Sequence, residues 1–318
     1  MPKPSSTVYA GLDVAKATLQ FHFQNQQHAF PNTGAGHKKL LALIQPSPQV
    51  QVVCEATGGY ERPVVAALQA ADRPVSILNP GHVRHFALSQ GSRAKSDPLD
   101  CALLTAYGQA HQPAPATKPN ATLLHLRALV DWRAQLKEQL TRLRLQAEHL
   151  TGSFILKAQA KLCKYLQAQI EAAEKQLAQA VADSPHHRQQ VQALDQMPGV
   201  GFITAITALA HMPELGTLNR RQAAALAGLA PWIRQSGPWE GQRHIGGGRA
   251  RVRHALYMSA VVLAGQKQKA TPLGKFYQRL RHQQAKPAKV ALTAVMRKLI
   301  VQMNQILKEH AQKKEKSQ

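Results

Sequence analysis

The stretch Thr7-Val-Tyr-Ala-Gly-Leu-Asp13 decides the fold. β-branched and aromatic residues run together and end on a carboxylate, which reads as a β-strand. Ala17 to Phe23 then alternates as ATLQFHF, the pattern of an antiparallel neighbour. A second apolar strand, Val50 to Cys54, stops at Glu55. After it the pattern predicts a helix from about Gly59 to Ala71, a strand from Pro74 to Leu78 and a helix from Pro80. Strands interleaved with helices make this an α/β domain. Ser89 to Lys95, rich in Gly, Ser and basic residues, reads as a loop, and Ser96-Asp97-Pro98 as a helix start.

Beyond it the character changes. Between about Asn120 and Ala182 two ladders step by seven, Leu129, Leu136, Leu143, Leu150 and then Leu156, Cys163, Ile170, Leu177. Seven-residue spacing with Arg, Lys, Glu and Gln between predicts two long helices, broken near Thr151-Gly152-Ser153. Such a hairpin serves equally as part of a bundle within one subunit or as a dimerisation arm. From Met197 the run MPGVGFITAITALA places Gly199 and Gly201 in a turn before an apolar helix. This is the pattern of a helix-hairpin-helix element, whose backbone amides approach a DNA phosphate, although an ordinary turn between packed helices fits the same residues. An apolar helix over Gln222 to Leu229, a loop from Ala230 to Gly248 and a helix from Arg249 follow, with Arg249, Arg251 and Arg253 alternating at its start. The polar end KKEKSQ reads as a disordered tail.

The 318 residues carry 40 Lys and Arg against 17 Asp and Glu, a formal charge of +23. Residues 1 to 110 hold nine of those cations and six of the acids, so the surplus lies almost entirely in the remainder. Nucleic acid is the polyanion such a surface suits. The absence of a run of roughly 18 apolar residues, and of an apolar signal core, predicts a cytoplasmic, nucleoid-associated protein with no membrane contact. Cys54, Cys101 and Cys163 are odd in number and set in apolar segments, which excludes a disulfide framework or a CxxC metal site. His186 and His187 have no cysteine partner for zinc, and without a GxxxxGK[ST] loop ATP hydrolysis is not expected.

Four of the six acids in the first 110 residues fall where phosphoryl transfer would use them. Asp13 and Glu55 close strands, and Asp97 and Asp100, three apart at a helix start, share a face. Ribonuclease-H-like folds supply metal-binding carboxylates from strand ends, and two divalent ions ~4 Å apart can activate the attacking oxygen and stabilise the leaving one. Four clustered acids would repel each other unless cations sat between them. All-oxygen ligands favour Mg2+, with Mn2+ as an alternative, and a two-metal site. Each acid also has a plain structural role open to it, as a polar strand end or, for Asp97 and Asp100, as a helix cap complementing the dipole.

The segments GLDVAKATL, CEATGGYERP, ILNPGHVRHFA, AKSDPLDCALL, MPGVG, ALAGLAPWIRQSG, GGGRARVRHALYM and KVALTAVMRKL, in this order over about residues 8 to 308, resemble the DEDD transposases of the insertion-sequence "one-ten" family, particularly its "eleven-eleven" subgroup. Related pilin-gene invertases share the plan. The resemblance implies an α/β RuvC-like (ribonuclease-H-like) domain over residues 1–112, a coiled-coil connector over 119–184, a mainly α transposase domain over 185–310 bearing the serine, and the tail 311–318. It implies DEDD acids at Asp13, Glu55, Asp97 and Asp100, and a catalytic serine at Ser236. In enzymes of this family the serine attacks a DNA phosphodiester and holds a covalent link with metal-bound carboxylates assisting, while a non-coding bridge RNA selects target and donor DNA, and the resemblance implies the same here. A homodimer or homotetramer is expected.

From the residues alone Ser236 would be an ordinary turn serine before Gly237. Lys95, Arg234, Arg243 and Arg249 are the cations expected at phosphates, together with Arg251 and Arg253 and the amides at Gly199 and Gly201. One departure from the family pattern is Gly246, where relatives commonly carry Trp. A resolvase or invertase acting through the four acids without an RNA guide, and a non-catalytic nucleic-acid-binding protein, are the alternatives.

Overall fold

The computed structural model describes residues 7–91, 97–118, 120–232, 235–236, 239–241, 243–265 and 269–315. It divides into two compact units, Met1–Pro119 and Asn120–Gln318.

The first unit is built on β1 (Val8–Val14), β2 (Thr18–Phe23), β3 (Gln26–Pro31), β4 (Val50–Glu55) and β5 (Val75–Leu78), in the order β3-β2-β1-β4-β5. β1, β2 and β3 form an antiparallel meander, whereas β4 and β5 run parallel to β1. Phe23 pairs with Gln26 across Gln24 and Asn25, both at positive φ, as a two-residue hairpin turn requires. Helices α1 (Gly34–Ile44), α2 (Arg62–Ala70), α3 (Pro80–Ser89) and α4 (Asp97–His111) complete the unit.

Alternation along the strands sorts the side chains to two faces. Ala10, Leu12 and Val14 of β1, with Leu19, Phe21, Val50, Val52 and Cys54, form a core with Leu40 and Ile44 of α1 and Val64 and Leu68 of α2. On the other face Tyr9 and Val53 pack with Leu78, Val83 of α3, and Leu104 and Tyr107 of α4. That second face is open to α4 because Gly11 has no side chain. The Gly11 amide donates to Thr105 Oγ1 at 2.8 Å, and a Cβ there would collide with the Cys101 carbonyl oxygen. Farther along, Gly108 lies against the Tyr9 ring. α4 therefore runs antiparallel to β1, with its first turn beside the end of that strand.

The second unit is helical: α5 (Ala121–Ala147), α6 (Ser153–Ala182), α7 (Pro185–Asp195), α8 (Phe202–His211), α9 (Arg220–Leu226), α10 (Ala250–Ala264), α11 (Pro272–Gln278), a π-helical turn Arg279–Gln283 and α12 (Ala288–Glu315). α5 and α6 are the two long helices that the seven-residue spacing predicts, but the ladder itself is only partly buried. Leu126, Val130, Leu136 and Leu140 are the buried residues of α5, while Leu156 is 43% and Phe154 83% exposed. Burial fades toward the connection between the helices because Leu126, Val130, Leu177 and Val181 enter the main core, whereas Leu136, Leu140 and Ile170 form only a small separate cluster. α12 also continues through Glu315, into the segment the sequence suggests is disordered, since Ala, Gln, Lys and Glu favour helix.

Four two-residue strands cross the loop after α9: β6 (Pro231–Trp232), β7 (Gln235–Ser236), β8 (Trp239–Glu240) and β9 (His244–Ile245). β6 pairs with β9 and β7 with β8, making one hairpin inside another. Among the described residues, no helix is long and apolar enough to cross a membrane.

Gly11→Ala is expected to cost at least about 2 kcal/mol, the scale of overpacking a tight contact, with lost hydrogen-exchange protection confined to β1 and α4. Gly34→Ala is the control, because a Cβ there meets nothing within 4 Å. Equal unfolding midpoints for the two variants in urea would refute the close-contact account.

Candidate active site and nucleic-acid interface

The register of the parallel pair places the first two acids. Leu12 lies opposite Cys54, so Asp13 and Glu55, each one residue further, are neighbours on adjoining strands, with Cα atoms roughly 5 Å apart. Both belong to the α4 face of the sheet, and both are half-buried. The antiparallel run of α4 brings Asp100, also half-buried, to the same end of β1. Electrostatics agree: the Cys101 thiol is pushed up by burial, and the charges of Asp13 and Asp100 push it the same way. Burial, with Glu61 and Glu55, likewise raises the Cys54 thiol to about 12. Cys54, Cys101 and Cys163 are all unbridged.

Asp97 begins α4, but its side chain lies outside the described residues, as do Lys95 and Arg234. Among the described residues, no group of three or more His, Cys, Asp or Glu side chains is arranged to hold a metal ion. The donor chemistry at this sheet end nonetheless fits a hard divalent cation, because Asp13, Glu55 and Asp100 offer oxygen alone.

Glu61, which no spacing argument marks, shapes the loop after Glu55. Its Oε2 accepts from the Thr57 amide and hydroxyl, both at 3.1 Å, and from the Gly59 amide at 2.8 Å. Burial works to raise this carboxyl, but these hydrogen bonds outweigh it and hold it below its ordinary value. The available signal is the sequence Thr57-Gly-Gly-Tyr-Glu61, a polar turn closed by a carboxylate.

In the second unit Ser236 pairs with Trp239 in the inner hairpin, while its side chain lies outside the description. The base of the outer hairpin is a backbone clasp. Gly228, Gly247 and Gly248 all have positive φ, and a Cβ on Gly228 or Gly248 would collide with the other strand of the clasp. The Trp232 indole donates to the Gly246 carbonyl at 3.3 Å, so an aromatic ring does stand beside Gly246.

The arginines of α10 have partners inside the unit. Arg249 grips Glu214 through two nitrogens, at 2.5 and 2.6 Å, and donates to the His211 carbonyl. Arg251 reaches Glu138 at 2.6 Å and Asp131 at 3.4 Å, and Arg253 donates to the Gly247 carbonyl at 2.7 Å. Arg243, by contrast, is exposed. Gly199 is held against Leu263, where a Cβ would lie 2.7 Å from Cγ, whereas Gly201, at the start of α8, is exposed and faces open space.

Carboxylates at a sheet end and a basic helical unit suit a protein that acts on a polyanion such as nucleic acid. Residues 10–155 match a DEDD-type family model described as "Transposase", and residues 191–278 match "Transposase IS116/IS110/IS902 family". The chain is 29% identical to the pilin gene-inverting proteins of Moraxella bovis and Moraxella lacunata over 307 residues, 93% of this chain and 94% of each relative. The chain belongs to the IS110 family of transposases and is a DNA transposase/recombinase.

Burial tends to raise the Glu214 carboxyl, but hydrogen bonds from Arg249 and a backbone amide, and the Arg249 charge, bring it below its ordinary value. A carboxyl lowered by folding adds stability that is complete above its unfolded value and is lost as pH falls through the folded one. Wild type should therefore exceed Glu214→Gln by about 1 kcal/mol near neutrality, allowing for solvent screening. The difference should shrink below the ordinary carboxylate range. A pH-independent difference in thermal midpoints would rule out this ion pair as its source.

Proposed function

We propose that this transposase is a site-specific recombinase of an insertion sequence, cutting and rejoining DNA with Ser236 as nucleophile and Asp13, Glu55, Asp97 and Asp100 as ligands for Mg2+ or Mn2+. The observation that carries the reading is the alignment of Asp13 with Glu55 on parallel strands, with the first turn of α4 on the same face. A meander followed by two parallel strands, with acids one residue before the end of β1 and at the end of β4, supports a RuvC-like domain over about residues 1–112. Paired long helices support a coiled-coil connector over 119–184, and the nested hairpins support a serine-bearing domain over 185–310.

Bound divalent ions supply charge stabilisation for phosphoryl transfer. The Ser236 hydroxyl oxygen forms a bond to phosphorus and gives up its proton, while a deoxyribose oxygen leaves and becomes a hydroxyl. Attack by a hydroxyl of the other strand reverses the exchange and frees the serine. Exposed Arg243 is placed near this hairpin in sequence, where it would meet the phosphate, with Lys95 and Arg234 as further contacts. Arg249, Arg251 and Arg253 act chiefly by holding the helical scaffold in the absence of DNA. The enzyme works as a homodimer or homotetramer associated with the nucleoid and uses a bridge RNA to choose DNA sites.

Asp13→Asn and Ser236→Ala should each lower strand exchange by at least about a thousandfold while leaving the thermal midpoint near wild type. Wild type, but not Ser236→Ala, should leave a covalent protein–DNA adduct on denaturing gels. Full exchange by Ser236→Ala would eliminate the serine route in favour of a metal-activated hydrolysis. Sequencing the RNA that co-purifies with the protein tests the guide, and finding no discrete species would favour unguided inversion.

A further inference from the structure

Asn32 is the residue that links the loops following both sheet-end acids. It lies between β3 and α1. Its Nδ2 donates to the Ala15 carbonyl at 3.0 Å and to the Tyr60 carbonyl at 3.1 Å. Ala15 is two residues past Asp13, and Tyr60 lies in the loop that leaves Glu55. The Asn32 backbone amide also donates to the Ala17 carbonyl at 2.9 Å, extending the β2–β3 ladder into the turn between β1 and β2.

The orientation of this amide is determined by its neighbours. Two carbonyls on one side require the NH2 group there, and His37 Nε2, 2.9 Å from Oδ1, must then be the donor on the other side. Both amide hydrogens and the carbonyl oxygen are thereby used. His37 is buried on α1, one turn after Thr33, whose side chain caps that helix. α1 is in turn drawn close to the end of β3, because Gly36 leaves room for the Pro31 carbonyl. A short chain of contacts thus runs from the helix through His37 and Asn32 to both loops.

We infer that Asn32, oriented by His37, is a positioning residue that sets the separation of Asp13 and Glu55 for divalent-metal binding. The inference rests on the proposed metal role of those acids. Asp13 pairs outward with Gln20 and Glu55 with Leu78, but β1 and β4 pair directly with each other only as far as Leu12 and Cys54. A single amide bonded to both departing loops ties the two strands together beyond that point. Groups hydrogen-bonded directly to metal ligands typically change affinity by about 10- to 100-fold when removed, and a residue that acts through the backbone, as Asn32 does, belongs at the low end of that range.

The test is titration of the full-length protein with Mn2+, read by electron paramagnetic resonance, alongside hydrogen exchange at residues 15–17 and 56–61. Asn32→Ala should weaken Mn2+ binding about tenfold, and His37→Ala by a smaller factor. Both loops should exchange faster, with the thermal midpoint close to wild type. Excess Mn2+ should restore strand exchange to Asn32→Ala but not to Asp13→Asn. Wild-type Mn2+ affinity in Asn32→Ala would overturn the inference, as would a defect that excess metal leaves untouched. If wild type and Asp13→Asn bind Mn2+ equally, the metal reading of the acids fails instead. Faster exchange in both loops of Asn32→Ala would still show the bridge itself.

Discussion

Contact between α4 and β1 at Gly11 is the constraint on which the acidic site depends. A helix backbone can approach a strand this closely only where a side chain is missing, and the Gly11 amide, lying opposite Thr105, receives a partner there. Move α4 outward by the width of a methyl group and its first turn no longer stands at the end of β1. The antiparallel direction matters as much. Gly108 on Tyr9 and Cys101 at Gly11 fix two points, and two points fix which end of α4 meets Asp13. Hydrophobic packing through Val53, Leu78, Val83 and Leu104 supplies the driving force, while the glycines supply the geometry.

Charge is distributed by a different logic in the helical unit. A formal +23 invites the idea that every arginine cluster touches nucleic acid. Yet the most suggestive cluster, at the start of α10, is bound up with Glu214, Glu138, Asp131 and the Gly247 carbonyl. His211 lies within this network, 3.3 Å from Asp131, and burial together with Arg127, Arg251 and Arg249 keeps it below its ordinary value against the pull of Asp131. Such pairs join α5, α8 and α10 into one body. Exposed cations such as Arg220, Arg221 and Arg243 are better suited to steering a polyanion, since they do not first have to give up an internal partner.

How far the sequence discloses this differs by element for identifiable reasons. β2 follows from alternation, β1, β4 and β5 from short apolar runs, and the α5–α6 pair from seven-residue spacing even though that ladder is only partly buried. β3 and α1 are silent: Gln26–Pro31 is a polar edge strand with no buried residue, and α1 opens Gly-Ala-Gly, which mimics a loop. The four two-residue strands around Ser236 are too short to show a period. Among site residues, the strand-end acids are visible because a carboxylate interrupts an apolar run. Internal commitments of Arg249 and Arg251 are invisible, since Glu214 and Glu138 lie 35 and 113 residues away in the chain. Asn32 is hidden for the same reason, its partners being brought to it by the sheet.

Acids side by side on adjoining strands carry like charges, which counts against folding. Hydrogen bonding within the first unit supports the backbone around them. Glu61 ties down the loop after Glu55 with three hydrogen bonds, and the Gly11 amide is bonded to α4. Each of these bonds fixes backbone and leaves the acids' charge in place. A site held this way is assembled before a cation or a phosphate enters it, so little of the binding energy goes into ordering the ligands. It also follows that the acids and their supports should fail differently. Under the proposed metal role, losing a carboxylate would remove a ligand, which no excess of metal replaces, whereas losing a support would leave every ligand present but less often in register, a deficit of population that mass action can repair.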